Sequence, residues 1–288
     1  MLFENYYYNV FTFANKVVKQ LRDAIANGNY SLTFAGSLFV TVQVDGYTIE
    51  LKLINKGLGD EPLAELITDP DDYKVQVVDI GGGVMRKRKL PVTKTAKINV
   101  YVSKQLQEFN LLNTIINNKL QEKGAKPTFE EICKAFAQTL YFGRTVAHEV
   151  QHFLKPRLTN LEPKHRRHSI APHIERQRRA GRIKKTKKEL QRYVSYLLSD
   201  DEVDSAIAET TTFVFEQASL DYYFKENTPD KFVLPCLQHL RSTHKWIYYS
   251  KKIRDRVRMR IKRLYQLLRK EYFTKMQQEQ SAAPAAST

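Results

Sequence analysis

The stretch TVAHEVQHFL, residues 145–154, places two histidines four residues apart with a glutamate directly after the first. Around it, apolar or small residues recur at steps of three and four, which is the spacing of one helix face. These are Ile132, Phe136, Leu140, Gly143, Ala147, Val150 and Leu154. A capping signature at Thr128 marks the helix start. The pattern predicts a helix over residues 128–155 with His148 and His152 on one face, beside the buried stripe.

Two imidazoles one helical turn apart can bind a single metal ion. Zinc prefers neutral nitrogen ligands and usually a third protein ligand, with one position left for water. Glu149 points toward that position, where a carboxylate can take a proton from metal-activated water and pass it to a leaving amine. We therefore predict a Zn²⁺ site with His148 and His152 as ligands and Glu149 as general base. The alternative is an ordinary helix whose histidines belong to the core.

Outside this stretch, the chain has two halves of different periodicity. After a helical pattern that ends near residue 26, four runs alternate apolar and polar residues: SLTFAGSLFVTVQV, YTIELKLI, YKVQVVDI and AKINVYVS. Asp45-Gly46, between the first two runs, is a strong hairpin signal. From about residue 104 the pattern is helical. We therefore predict an α+β fold in which a small mixed or antiparallel sheet lobe, residues 1–103, precedes a mostly helical lobe, residues 104–277.

The helical lobe contains the long helices and a basic insertion. The predicted helices cover residues 104–122, 128–155, 187–198, 200–226, 229–248 and 250–277. A basic insertion, residues 155–192, joins the motif helix to the acidic start of the helix at 200–226. The last residues, 278–288, end in SAAPAAST, which consists of Ser, Ala, Pro and Thr, and we expect them to be disordered.

With its sheet, its strand AKINVYVS, its His-Glu-x-x-His helix and its helical lobe in that order, the chain resembles the zincin metallopeptidases. The resemblance implies a zincin-like fold with the HExxH helix at a cleft, a polypeptide substrate and hydrolysis of peptide bonds. In that family a strand near the metal helix often forms the cleft edge that binds substrate as an added strand. KINVYVS, residues 97–103, is the candidate for that role.

The residues after the motif distinguish the zincin subclasses. Metzincins require a glycine and a third histidine there, but this chain continues with Phe153-Leu154-Lys155, which excludes that subclass. Gluzincins take a glutamate from a later helix. The segment YLLSDDEVDSAIAE, residues 196–209, is similar to that helix in phage-type and bacterial HExxH proteins, which implies Glu202 as the third ligand.

Two neighbours of Glu202, Asp201 and Asp204, remain alternative ligands, because an acidic helix start is also favoured by the helix dipole alone. Thermolysin-like enzymes have an aspartate, four residues after the ligand glutamate, that orients a metal histidine. This chain has Ala206 there, so Glu209 is the candidate for the orienting role.

A second resemblance is to the SprT-like, DNA-associated metalloproteases, which combine the motif with basic character and take a histidine as third ligand. LEPKHRRHSIAPH offers His165, His168 and His173 at suitable distances downstream. These histidines lie in a basic loop and can equally be part of a polar surface.

The formal net charge of +16 is concentrated in two segments. Residues 155–192 hold 14 Lys/Arg against three Glu, and residues 241–276 hold 13 against two acids. Such clusters bind phosphates through counterion release without a sequence code. We therefore predict a nucleic-acid or acidic partner for the basic segments. The candidate contacts are Arg166, Arg167, Arg176, Arg178, Arg179, Arg182, Lys184 and Lys185. The rival function is a non-catalytic, basic nucleic-acid-binding or virion-associated protein.

The cysteines and the hydropathy of the chain indicate where in the cell the protein is located. Cys133 and Cys236 are far apart and form no Cys-x-x-Cys pair, so a disulfide framework is not indicated. No stretch reaches about 18 uninterrupted apolar residues, and the first residues lack the basic region of a signal peptide. We expect a protein without a membrane span that is not secreted by a signal peptide and is cytoplasmic, or virion-associated if viral.

Overall fold

The structure is a computed structural model of the 288-residue chain. It describes residues 6–33, 36–55, 63–67, 73–79, 85–108, 110–159, 176, 178–182, 184, 186–245 and 251–282.

These residues form helices and two sheets. The strands are β1 (Ser31–Leu32), β2 (Leu38–Val44), β3 (Tyr47–Ile54), β4 (Ala64–Ile67), β5 (Tyr73–Asp79), β6 (Met85–Pro91) and β7 (Thr95–Tyr101). The helices are α1 (Tyr6–Ala26), α2 (Val102–Glu108), α3 (Leu112–Lys123), α4 (Phe129–Ala137), α5 (Leu140–Thr159), α6 (Lys187–Leu197), α7 (Asp200–Phe215), α8 (Leu220–Phe224), α9 (Asp230–Thr243) and α10 (Lys251–Ala282). The predicted α+β class is confirmed.

The larger sheet is mixed and has the strand order β1-β2-β3-β7-β4. Strands β2 and β3 form the predicted hairpin, and both turn residues, Asp45 and Gly46, have positive φ angles of 48° and 79°. That conformation is the one a two-residue hairpin turn with right-handed strand twist requires. Strand β7 is parallel to β3 and antiparallel to β4. Strands β5 and β6 pair as a separate two-stranded sheet.

The position of β7 corrects the expectation for KINVYVS. Strand β7 pairs with β3 on one side and with β4 on the other, so its backbone is engaged on both sides and cannot accept an added strand. The adjacent sheet edge is β4. Its sequence, AELI, has four residues, of which Glu65 is the one polar residue, and it lies between Pro62 and Pro70, which favour a turn. Strand β6, MRKRKLP, has too few apolar residues to show the alternation expected of a strand.

The helix predicted over residues 128–155 is two helices, α4 and α5. The hydroxyl of Thr139 accepts a hydrogen bond from the Phe142 amide (3.3 Å) and donates one to the Phe136 carbonyl (2.7 Å). The Arg22 guanidinium donates to the carbonyls of Ala137 and Thr139, each at 2.8 Å. These bonds satisfy backbone groups that a helix end leaves without partners, so the break is a stabilised junction.

Other helix boundaries also differ from the predicted ones. The segment 104–122 is divided at Asn110, whose φ is +53°. The segment 200–226 is divided into α7 and α8, because the Ser219 hydroxyl caps the second helix. Helix α10 continues to Ala282, so the first five residues of the tail 278–288 are helical, and the last six lie outside the described residues.

The chain divides into two compact units. One extends from Val10 to Glu162 and contains both sheets and α2 to α5. Its core is formed by apolar side chains of the larger sheet, α1, α4 and α5. The other unit extends from Pro163 onward, includes the first nine residues, and contains α6 to α10. Rings of Phe224, Phe232 and Tyr265 pack there, with centroids 5.6–6.4 Å apart. Among the described residues, no helix is long and apolar enough to cross a membrane.

Candidate metal centre

Helix α5 presents the His-Glu-x-x-His motif from a well-packed scaffold. Its apolar side, including Phe142, Val146 and Val150, is completely buried. The helix contacts β4, β6 and β7 of the same unit. His148 and His152 are half-buried at the border of that apolar side, as the helical periodicity predicts. The packing of α5 therefore limits the orientations that the two imidazoles can adopt.

The two motif histidines converge at their Nε2 atoms. These atoms lie 3.2 Å apart, and the ring planes are inclined by 67°. Two nitrogens that each bind one zinc ion at about 2.05 Å with a tetrahedral angle are separated by about 3.3 Å. The observed separation is therefore close to the one that a shared zinc ion requires. An N–H···N hydrogen bond between two neutral imidazole rings has a similar length. The separation of the Nε2 atoms therefore does not by itself distinguish a zinc site from such a hydrogen bond, and the third ligand must be considered as well.

Glu149 follows the first histidine on α5 and is only 7% exposed. A carboxylate with so little contact with water is costly unless a cation or hydrogen-bond donors compensate its charge. A buried carboxylate next to a bound cation is a suitable proton acceptor, because it is positioned and shielded from bulk water.

Glu202 lies in the first turn of α7. Ser199 caps this helix, and its hydroxyl accepts a hydrogen bond from the Glu202 amide at 3.3 Å. The Glu202 residue is 7% exposed. One ligand atom each from His148, His152 and Glu202 lie within 4.8 Å of one another.

The two aspartates near Glu202 differ in what the structure shows. Asp204, only 4% exposed, forms an ion pair with Arg260 of α10, so its charge has a partner within its own unit. The side chain of Asp201 lies outside the described residues. Among the described side chains, Glu202 is therefore the carboxylate that groups with the motif histidines.

Glu209 lies two helical turns after Glu202 on α7. It is 4% exposed, and its Oε2 atom lies 3.0 Å from His244 Nε2 at the end of α9. One partner of Glu209 is thus His244, and an orienting role toward a metal-binding histidine stays a prediction.

The downstream histidines and much of the basic insertion lie outside the described residues. This applies to His165, His168, His173, Arg166, Arg167 and Lys185. Of the other predicted contacts, Arg178 is half-buried and four are exposed: Arg176, Arg179, Arg182 and Lys184.

One buried residue that contacts α5, Gln105, was not predicted, because no local sequence pattern indicates its position. Gln105 of α2 is fully buried, and its Oε1 accepts a hydrogen bond from the Thr145 hydroxyl of α5 at 3.3 Å. Its Nε2 donates to the Leu63 carbonyl, directly before β4, at 3.1 Å. Gln105 therefore connects α5 to the start of the edge strand. The connection depends on tertiary contacts between residues about 40 positions apart.

Comparison with known proteins found no family model that matches this chain and no match among the curated proteins or the solved structures.

Proposed function

We propose that the protein is a zinc-dependent metallopeptidase with a zincin-like, gluzincin-type site. In this proposal His148, His152 and Glu202 hold Zn²⁺, and Glu149 is the general base. The observation that supports it most is the grouping of one ligand atom from each of the three residues within 4.8 Å. The 3.2 Å separation of the two Nε2 atoms adds to that support, because it suits two ligands of one tetrahedral ion.

The proposed donor set favours a catalytic over a structural metal. Structural zinc sites normally close with four protein ligands, whereas catalytic sites use three, such as two histidines and a glutamate, and keep one position open. When bound, zinc polarises the substrate carbonyl and lowers the pKa of water at the open position. An acid that is not a ligand, directly beside the first histidine, has no function in a structural site, so Glu149 favours catalysis.

The protein residues have separate functions in peptide hydrolysis. Glu149 accepts a proton from the attacking water and delivers it to the amine that leaves as the C–N bond breaks. The edge strand β4, which contacts α5, offers its outer side to an extended polypeptide. The polypeptide is the substrate that this function implies.

The proposal includes the cellular compartment in which the protein acts. Cys133 and Cys236 are free and buried. A reducing compartment suits this state, and we propose that the protein acts in the cytoplasm, or in a virion if it is viral.

Zinc content and proteolysis of the same preparations test the proposal. We expect about one zinc per chain in the wild type by elemental analysis, and cleavage of an unfolded protein that a chelator stops. Glu202→Gln should lose most of the zinc and the activity. Glu149→Gln should keep the zinc and lose the activity. Asp204→Asn is the matched control in α7 and should keep the zinc.

The outcomes separate the alternatives. If zinc is lost in His165→Ala/His168→Ala and retained in Glu202→Gln, the SprT-like arrangement replaces the gluzincin-type site. If zinc binds but Glu149→Gln cleaves as fast as the wild type, Glu149 is not the base. If no preparation binds zinc even after zinc addition, α5 is an ordinary helix, and a non-catalytic nucleic-acid-binding or virion-associated role becomes the better proposal.

A further inference from the structure

Helix α10 has a buried apolar side and an exposed basic side. Its apolar side chains, Ile253, Val257, Ile261, Leu264 and Leu268, are buried. Six described basic side chains on the helix are exposed: Arg254, Arg258, Lys262, Arg263, Lys270 and Lys275. Lys275 lies 3.0 Å from the Glu271 carboxylate. We refer to Arg254, Arg258, Lys262 and Lys270 as the basic face of α10. Between Arg254 and Lys270, Asp255 is the one exposed acidic residue.

The arginines that face inward on α10 have structural contacts. Arg260 forms an ion pair with the buried carboxylate of Asp204. Arg269 donates a hydrogen bond from Nε to the Phe224 carbonyl at 3.2 Å. Packing of the helix therefore uses its apolar stripe and these inward arginines. It does not require the charges of the basic face.

The surrounding unit has a large excess of positive charge. Residues 163–288 contain 27 Lys/Arg and 14 Asp/Glu, which accounts for 13 of the 16 net charges of the chain. Like charges at this density repel one another and destabilise the compact state. A polyanion that binds this unit would relieve the repulsion.

We propose that the basic face of α10 binds the phosphate backbone of a nucleic acid without reading its sequence. The face extends over about 24 Å, because its ends are 16 residues apart in a helix that rises about 1.5 Å per residue. Duplex DNA carries one negative charge per about 1.7 Å of its axis. Phosphates are therefore closely spaced along a duplex that follows this helix, and each contact releases counterions.

The composition of the face favours nucleic acid over other acidic partners. A helix that lies in a membrane surface needs an exposed apolar side, and the apolar side of α10 is buried in its own unit. A stable protein interface needs buried anchors such as aromatic side chains. Between Arg254 and Lys270, α10 exposes one large apolar side chain, Met259. Lys and Arg without such anchors suit a line of phosphates.

The test measures binding to a labelled random-sequence DNA duplex of about 20 base pairs over a range of salt concentrations. The first variant is Arg254→Gln/Arg258→Gln/Lys262→Gln/Lys270→Gln. The matched control, Lys19→Gln/Lys94→Gln/Lys97→Gln/Lys126→Gln, removes the same charge from exposed side chains of the other unit. Thermal unfolding of both variants verifies that they are folded.

We expect the slope of log Kobs against log salt to become shallower by about 0.9 per lost contact, or about 3 to 4 for the face variant. Its affinity at about 0.1 M salt should fall by more than tenfold, and the control should change little. Equal weakening of the two variants would show that net charge alone drives binding. Tighter binding of the wild type to polyglutamate or to phosphatidylserine vesicles than to DNA would also overturn the proposal. Because no step measures cleavage, these results do not depend on the metallopeptidase proposal.

Discussion

The hydroxyl of Thr145 donates a hydrogen bond to the side-chain oxygen of Gln105 across 3.3 Å, in the buried space between α5 and α2. Thr145 lies one helical turn before His148, and Gln105 continues the connection to the Leu63 carbonyl. The first histidine of the motif is thus close to a polar chain that leads to the edge strand. If one partner of a buried hydrogen bond is removed, the other group stays buried without a partner. The protein then loses stability by the full desolvation cost of that group.

Gln105→Leu should therefore destabilise the protein. The substitution leaves the Thr145 hydroxyl without its acceptor and removes one donor from the Leu63 carbonyl. We expect a loss of about 2 kcal/mol in the free energy of unfolding, measured by urea denaturation. Gln107→Leu, at an exposed position of the same helix, is the control and should change it by less than about 0.5 kcal/mol. Equal effects at both positions would contradict a specific role for Gln105.

Asp204→Asn should lower stability and leave the proposed ligand set intact. The Asp204 side chain is 5% exposed and the Arg260 side chain 24%, so loss of one charge leaves the other poorly compensated. We expect a destabilisation of about 3 kcal/mol. Asp45→Asn alters the exposed Lys16–Asp45 pair, whose side chains are about half exposed, and should cost no more than about 1 kcal/mol. A large loss of zinc in Asp204→Asn would instead identify Asp204 as a ligand.

Arg22→Leu should weaken the junction between α4 and α5. The Arg22 guanidinium donates to two carbonyls there, and no leucine atom can replace these bonds. Hydrogen bonds to a charged donor contribute about 1.5 to 3 kcal/mol each, so we expect a loss of about 3 kcal/mol. Lys19→Leu, at an exposed position of α1, serves as control for the change in charge and hydrophobicity. A stability change in Arg22→Leu no larger than in Lys19→Leu would show that the junction does not need Arg22.

Cys133 should be unreactive in the folded protein. Burial raises the pKa of its thiol from 9.0 to about 12, so the nucleophilic thiolate is scarce at pH 8. We expect iodoacetamide to label Cys133 only after unfolding, as mass spectrometry can verify. Rapid labelling of the native protein would contradict the burial of the thiol.

The same shift predicts a pH dependence of stability. The folded state holds the Cys133 proton more tightly than the unfolded chain, so the contribution is complete below pH 9.0 and is lost as the pH rises toward about 12. Urea denaturation at increasing pH in this range should show that the free energy of unfolding declines less steeply with pH for Cys133→Ala than for the wild type. If the free energy of unfolding declined equally in both proteins, Cys133 would not contribute to the pH dependence of stability.

Local sequence patterns predicted the elements that local chemistry determines. The Asp45-Gly46 hairpin formed as predicted, since positive φ angles at both residues depend on the residues themselves. His148 and His152 share one side of a helix because helical periodicity requires it. The capping box at Thr128 is present, with its hydroxyl and the Glu131 carboxylate bonded to each other's backbone amides.

The sequence alone therefore determined the α+β class and a helix that carries two convergent histidines beside Glu149. Only the tertiary structure decided the remaining features. It divided residues 128–155 at Thr139, because the distant Arg22 stabilises the broken ends. It placed β7 inside the sheet and β4 at its edge, because strand order depends on pairing between distant segments. It also grouped one ligand atom of Glu202, which the resemblance had named beside Asp201 and Asp204 as alternatives, with one from each of the two histidines. Contacts between residues far apart in the chain leave no local pattern, so the sequence by itself left Asp201 and Asp204 open as alternatives to Glu202.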